Sequence, residues 1–253
     1  MDITTKAKEN IEKEHFNKIA KTYEKKYGYS DRFTKYKIDK KTRSFIHLLK
    51  NSLENLDSIR ILEIGCGTGT YTFKYAGMLP DAKIIASDIS EGMIKVAKSN
   101  RKLKNLSFEV MSAYDTGLED SSVDVVCGFY ILHHLNFSTA IKEIKRVLKP
   151  GCMVYFYEPN ILNPVVYLIK SNTYIKKLVG DSSVEWAVNP LTVEKLWKGF
   201  EIKEVKTTEF VWPLSFVPYE LKIFLDKLTS VLFAAIPGLN LVGGSVEICL
   251  KKK

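Results

Sequence analysis

The sequence predicts an α/β fold: a Rossmann-like, doubly wound, seven-stranded and mostly parallel sheet, with N-terminal helices and a helical, apolar insertion in its C-terminal part. Three observations carry this. From residue 59 onward, short apolar runs alternate with helical stretches, the pattern of a parallel sheet covered on both faces. The run Ile61-Leu62-Glu63-Ile64-Gly65-Cys66-Gly67-Thr68-Gly69-Thr70 reads as a strand, an acidic residue and a glycine turn that opens a helix. About twenty residues further on, Asp88 closes a second strand, the place of a ribose-binding carboxylate in doubly wound sheets.

The elements follow in order. Apolar residues at 16, 19, 20 and 23 mark one face of a first helix, and a second helix covers about 34–50 after a polar link at 28–31. Arg60–Ile64 is strand 1 and Tyr71–Met78 its helix. Pro80-Asp81 turns the chain into strand 2, Lys83–Ser87, and Ser90 caps a helix over Glu91–Ser99. Leu106–Met111 and Val123–Cys127 are strands 3 and 4. A helix over Ser138–Leu148 stops at Pro150-Gly151, and Met153–Tyr157 is strand 5. Beyond Glu158-Pro159-Asn160 the rhythm breaks. Ile161–Val179 is apolar and helical, Thr192–Lys198 a helix, Glu201–Thr208 strand 6, and Ser245–Leu250 strand 7. The long connections around strand 6 are expected to act as substrate elements or lids.

The net charge of +9 in 253 residues is uneven. It is +6 over residues 1–60, zero over 61–160 and +3 over 161–253. The flanks therefore suit an anionic partner or surface, while the segment with the glycine turn is neutral. Four widely spaced cysteines without a C-x-x-C pair indicate free thiols. With no apolar leader, the protein reads as cytoplasmic. Leu228–Val246 is uncharged, but Pro237-Gly238, Asn240 and Gly243-Gly244 interrupt it. That argues for a helix end, a turn and a last strand rather than a membrane span.

The glycine spacing decides which nucleotide fits. A dinucleotide fingerprint is G-x-G-x-x-G. Here Thr70 stands where its last glycine would fall, and Glu63 would face a pyrophosphate. The stretch instead resembles the first motif of the class I S-adenosylmethionine-dependent methyltransferases, E-x-G-x-G-x-G. The likeness extends from about Phe16 to Glu158. It takes in Phe16-x-x-Ile19-Ala20-x-x-Tyr23, Asp88-Ile89-Ser90-x-x-Met93, Leu118-Glu119-Asp120-Ser121-Ser122-Val123-Asp124, Leu132-His133-His134-Leu135 and Glu143-Ile144-x-Arg146-Val147-Leu148-Lys149-Pro150-Gly151. In this combination the chain is similar to the ubiquinone/menaquinone-biosynthesis branch of that family.

The resemblance implies a seven-stranded sheet with one reversed edge strand and S-adenosylmethionine as cofactor. It implies a helical cap over residues 1–58, a cofactor-binding core over 59–160, and substrate-side helices with the closing strands over 161–253. Gly65, Gly67 and Gly69 would approach the methionine part, and Glu63 would organise the turn beneath it. Asp88 would take the ribose, Ile89 and Met93 would pack by the adenine, and Tyr23 would close over the cofactor. Cys66, Ala113 and Phe129 also count among the binding residues. The family's adenine-amine aspartate falls at Ser112, which accepts a hydrogen bond but carries no charge. Asp115 would replace it only with a shifted loop.

Methyl transfer is mostly a matter of alignment, and a general base helps when the acceptor is a hydroxyl. His133, with His134 beside it, follows strand 4 at the ligand-binding edge and is the preferred base candidate. No metal cluster is expected. Gly128-Phe129-Tyr130-Ile131 lacks the Pro-Pro motif of base-amine methyltransferases, and Cys127 is not preceded by the proline of the C5-pyrimidine enzymes. The aromatic run Phe210–Tyr219 and the apolar 161–179 stretch favour a small-molecule or lipid-linked acceptor, methylated at oxygen or carbon. Peripheral contact with an anionic membrane fits the basic flanks, and no specific nucleic acid is expected. The competing readings are a non-catalytic cofactor-binding regulator or assembly protein, an NAD-linked oxidoreductase and an RNA methyltransferase.

Overall fold

The computed structural model describes residues 3–27, 29–100, 102–179, 181–182, 185–210 and 217–253. Gly28 of the predicted polar link and residues 211–216 of the aromatic run lie outside the described residues. The chain opens with α1 (Ile3–Ile19), α2 (Tyr23–Lys26) and α3 (Arg32–Ser52). The alternating part follows: β1 (Arg60–Ile64), α4 (Thr70–Met78), β2 (Lys83–Asp88), α5 (Glu91–Ser99), β3 (Leu106–Val110), β4 (Val123–Phe129), α6 (Phe137–Val147) and β5 (Leu148–Pro159). Then come α7 (Pro164–Ser171), α8 (Thr173–Val179), α9 (Val193–Leu196), β6 (Phe200–Thr208), α10 (Tyr219–Ala235) and β7 (Ser245–Lys252).

The seven strands form one sheet in the order β3-β2-β1-β4-β5-β7-β6. The strands β1 to β5 pair in parallel, and β7 runs antiparallel to both β5 and β6. The reversed strand is thus second from the edge, which corrects the reversed edge strand expected from the resemblance. Burial explains the placement. Ser245 to Leu250 of β7 are all buried and suit an inner position, whereas β6, rich in Lys and Glu, is largely exposed and suits an edge.

Side chains alternate across β1, so the core has two halves. Ile61 packs with Phe45, Leu49 and Tyr75 from α3 and α4. Leu62 and Ile64 pack on the other face with Ile144 and Val147 of α6 and with Trp197. Each fully buried Ile, Leu or Val contributes about 1.5–3 kcal/mol relative to exposure. Of the first 58 residues, α3 is therefore part of the sheet's cover, while α1 reaches over its C-terminal edge. Ser90 caps α5 by accepting from the Met93 N–H at 3.1 Å, as its position predicts.

Several motif residues sit away from that edge and hold the scaffold. Asp124 accepts from the Arg60 N–H at 2.8 Å and pairs with Lys149 at 2.7 Å. Glu143 accepts from both the N–H and the hydroxyl of Thr116 and pairs with Arg146, fixing the loop after β3. The chain runs outward through β1, β2 and β3 and then returns to β4 on the other side of β1. The ends of β1 and β4 are therefore the switch point, where crevices form in such sheets. Among the described residues no helix is long and apolar enough to cross a membrane.

Candidate functional site

The turn after β1 and the loop after β4 meet at this switch point and line one cavity with α1. Gly65, Gly67 and Gly69 have φ of 68°, 54° and 84°, a region in which side chains are strained. Their surroundings differ. A Cβ on Gly65 would lie 2.4 Å from the Ile131 side chain, and one on Gly69 would lie 2.9 Å from Phe73 and Phe108. One on Gly67 would meet only the Tyr23 ring, at 3.8 Å. Gly65 and Gly69 are therefore required by packing, and Gly67 leaves bare backbone toward the cavity.

Asp88 ends β2 with each carboxylate oxygen holding one backbone donor, Gly67 N–H and Ser90 N–H, both at 2.9 Å. Burial raises its carboxyl above the usual value although these bonds oppose it. Glu63 is buried and accepts from Thr72 Oγ1 at 2.6 Å and from the Tyr75 hydroxyl at 2.7 Å, both on Oε2. Burial pushes its carboxyl up to about 7. Ile89, Met93, Met111 and Ala113 supply apolar walls, and Tyr23, Tyr29 and Phe129 also line the cavity. Cys66 also lines the cavity, and burial pushes its thiol well up.

Ser112 is turned aside. Its hydroxyl donates to the Glu9 carboxylate of α1 in a short hydrogen bond and accepts from the Tyr114 N–H at 3.1 Å. Glu9, not Ser112, lines the cavity, so the carboxylate in this quarter comes from the cap. Asp115 forms an isolated bridge with Ser112 and does not line the cavity. The cap is tied down at several points: Asn17 accepts from Ser90 Oγ and the Gly92 N–H, both at 2.8 Å, and Glu12 meets His134 Nδ1 at 3.0 Å.

The two histidines are differently placed. His133 Nδ1 lies 2.7 Å from Glu158 Oε2, and the N–H groups of Ile131 and Leu132 occupy Glu158 Oε1 at 2.9 and 2.8 Å. The His133 side chain is only 5% exposed, and burial drives its pKa well below the usual histidine value. It lines a second cavity of about 280 Å³ that shares Tyr23, Tyr71 and Tyr130 with the first. His134 packs edge-on against Phe16, and its ring centroid lies 4.1 Å from that of His133. Burial would lower His134, but the hydrogen bond to Glu12 and the charges of Glu185 and Glu12 lift it above the usual value. His133, His134 and Glu185 lie near enough together to hold a metal ion. However, Lys170 Nζ sits 2.8 Å from the Glu185 carboxylate and competes as its counter-ion.

Residues 62–156 match the family model described as a methyltransferase domain. A demethylmenaquinone methyltransferase of Leptospira interrogans is 29% identical over 255 residues, covering 95% of this chain and 92% of its own. A methyltransferase domain therefore lies within the chain, and the chain as a whole is similar to the class I methyltransferases of the ubiquinone/menaquinone type. The demethylmenaquinone methyltransferase of Lactococcus lactis is 34% identical over 130 residues, 49% of this chain and 52% of that protein. The chain spans about half the length of several of the curated relatives it matches. The solved structure of an S-adenosylmethionine-dependent methyltransferase from Thermotoga maritima superposes with a TM-score of 0.61 at 20% identity, covering 95% of this chain and 99% of that one. That likeness is one of fold.

The cofactor of this family is S-adenosylmethionine, and the residues of this methyltransferase domain fit it. Both Asp88 oxygens keep a lone pair for ribose hydroxyls after their backbone bonds. The Ile89, Met93 and Met111 side chains suit an adenine face, and the bare backbone at Gly67 suits close approach. Sequence reasoning did not single out Glu9, Glu12, Tyr29, Glu158 or Glu185. Of these only Glu158 carried a signal, since it ends a strand at the ligand-binding edge.

Proposed function

We propose that the protein transfers a methyl group from S-adenosylmethionine to a hydroxyl of a small-molecule or lipid-linked acceptor, with His133 as proton acceptor. The cofactor supplies an activated methyl on a sulfonium, so the protein's share is alignment, exclusion of water and removal of a proton. The single observation that carries the reading is the His133–Glu158 pair. Glu158 has one oxygen filled by two backbone donors and the other against His133 Nδ1; burial raises its carboxyl to about 7, and in its ionised form it holds the proton on Nδ1. Nε2 is then left as a base beside the aromatic cavity. A depressed pKa keeps that nitrogen unprotonated at neutral pH.

Relatives named for demethylmenaquinone support a small organic acceptor. An exposed apolar face along α10, with Leu221, Phe224, Leu228, Val231 and Leu232, supports one that is lipid-linked or met at a membrane. The test is transfer of label from methyl-labelled S-adenosylmethionine to hydroxyl-bearing small molecules and lipid extracts. Labelled product with wild type and about 10²–10⁴-fold slower labelling with His133→Ala is the expected result. Tight S-adenosylhomocysteine binding with no product from any extract would overturn the reading in favour of a non-catalytic binding protein.

A further inference from the structure

Beyond the aromatic cavity lies a larger one of about 570 Å³, between α3, β6 and α10. Lys37 and Lys41 of α3 line both, so they stand at the junction. Their charges are not matched one to one. Lys41 Nζ lies 3.1 Å and Lys37 Nζ 3.3 Å from the same Glu209 Oε1. The other two lysines of the larger cavity do have partners of their own: Lys40 pairs with Asp226 at 2.6 Å and Lys206 with Glu247 at 3.0 Å. Among the described residues Glu209 is the only carboxylate within ion-pair reach of Lys37 or Lys41, and the sequence has no further acidic residue until Glu220.

The surplus is built into a held framework. Lys41 Nζ donates to the Tyr130 hydroxyl at 2.7 Å, which donates to Glu209 Oε2 at 2.9 Å, and Ser245 Oγ donates to the same oxygen at 2.5 Å. The Lys41 ammonium also lies 4.7 and 4.8 Å from the ring centres of Tyr130 and Tyr157. Tyr130 and Glu209 both sit at positive φ, 60° and 63°, though neither is glycine. Such strain persists where the surroundings over-determine it, typically at ligand clamps. Burial lowers the Lys41 ammonium to about 8, a cost that a second anion beside it would relieve.

We propose that Lys37 and Lys41 form an anion-binding subsite, taking a carboxylate or phosphate group of an acceptor whose apolar part lies in the larger cavity. Leu191, Val205, Phe210 and Leu241 give that cavity its apolar wall. The proposal rests on the methyl-transfer reading of the neighbouring site, because it is the acceptor that is held. Its chemistry is still separable, since anion binding needs no transfer.

The test is calorimetric titration of decanoate, decyl phosphate and decanol into the full chain, with and without S-adenosylhomocysteine. Decanoate or decyl phosphate should bind at least tenfold more tightly than decanol, and the tighter of the two identifies the group. Lys41 is buried and its loss risks the fold, so Lys37, whose side chain is 17% exposed against 6% for Lys41, carries the variant. Lys37→Gln should weaken the anions about tenfold and leave decanol within twofold. Glu209→Gln, by removing the internal competitor, should strengthen them. Equal binding of decanol and the anions, or anion binding indifferent to Lys37→Gln, overturns the subsite. Failure to bind S-adenosylhomocysteine would instead overturn the methyl-transfer reading.

Discussion

The two halves of the site are built in opposite ways. The cofactor half comes mainly from consecutive short segments, 63–70, 88–93 and 111–114, each at the end of a strand. Backbone geometry shapes it: a glycine turn at positive φ and two N–H groups directed at Asp88. The proposed acceptor half gathers Lys37, Lys41, Tyr130, His133, Glu158 and Glu209 from distant parts of the chain, and long side chains shape it. A turn imposes spacing on its sequence, whereas a side chain reaching across the fold imposes none. The cofactor can thus be read at the level of motif, while the acceptor has to be read from geometry.

Breaking one half should leave the other intact. The largest effect on turnover is expected from His133→Ala: with a hydroxyl acceptor found by labelled transfer, kcat should fall about 10²–10⁴-fold. S-adenosylhomocysteine affinity should stay within about twofold, because the group acts on the acceptor. The acid limb of the wild-type profile should lie below the usual histidine range, since His133 is depressed by burial. A limb at or above that range would exclude His133 as the base. Asp88→Ala comes next. Losing a carboxylate placed for two ribose hydroxyls should weaken S-adenosylhomocysteine by about 3–6 kcal/mol, with charge-assisted bonds at about 1.5–3 kcal/mol each. Decanoate titration should be unchanged, and a parallel loss there would mean that the halves are not independent.

The two halves meet at His134, which lines both cavities and contacts Glu12 of α1 at 3.0 Å. His134 is raised, so its contribution is fully present below the unfolded histidine value and is lost as pH rises through the folded one. Glu12 is lowered, since the bond to His134 outweighs burial, and its contribution is lost as pH falls below the ordinary carboxylate range. The clamp is therefore strongest in mildly acid solution and weakens through neutrality. Glu12→Gln should cost about 1–3 kcal/mol there and visibly less in alkaline solution, read as Tm in a pH series. A loss independent of pH would show that the contact is packing alone.

What was legible follows the same division. Alternation of β1 to β5 with helices, the Ser90 cap and the strand-end Asp88 all have local causes, and the structure places them as the sequence predicts. Glu9 beside Ser112 could not be found from spacing, because a residue on α1 meets one more than a hundred positions later. The position of β7 inside β6 was hidden for a related reason: order in a sheet is settled by which strand buries more, not by chain order. The His133–Glu158 pair was half visible, with both residues at strand ends but no motif joining them.

Glu63 gives the smallest and most discriminating test, because it is the motif residue for which scaffold and function disagree. Its carboxyl is buried, raised to about 7, and accepts only neutral hydroxyls from Thr72 and Tyr75. A folded value above the unfolded one means that its contribution is fully present below the ordinary glutamate range and is lost as pH rises through about 7. Ionised Glu63 is therefore a cost to the fold in alkaline solution. Glutamine keeps an oxygen for both donors and has no charge to bury. Glu63→Gln should accordingly match wild type in Tm in mildly acid solution and exceed it by a few degrees in alkaline solution, at about 1 kcal/mol. Its S-adenosylhomocysteine affinity should drop severalfold if the charge is retained for the cofactor. A variant less stable than wild type in alkaline solution would show instead that the charge serves the fold, and the motif half would then be scaffold down to its first residue.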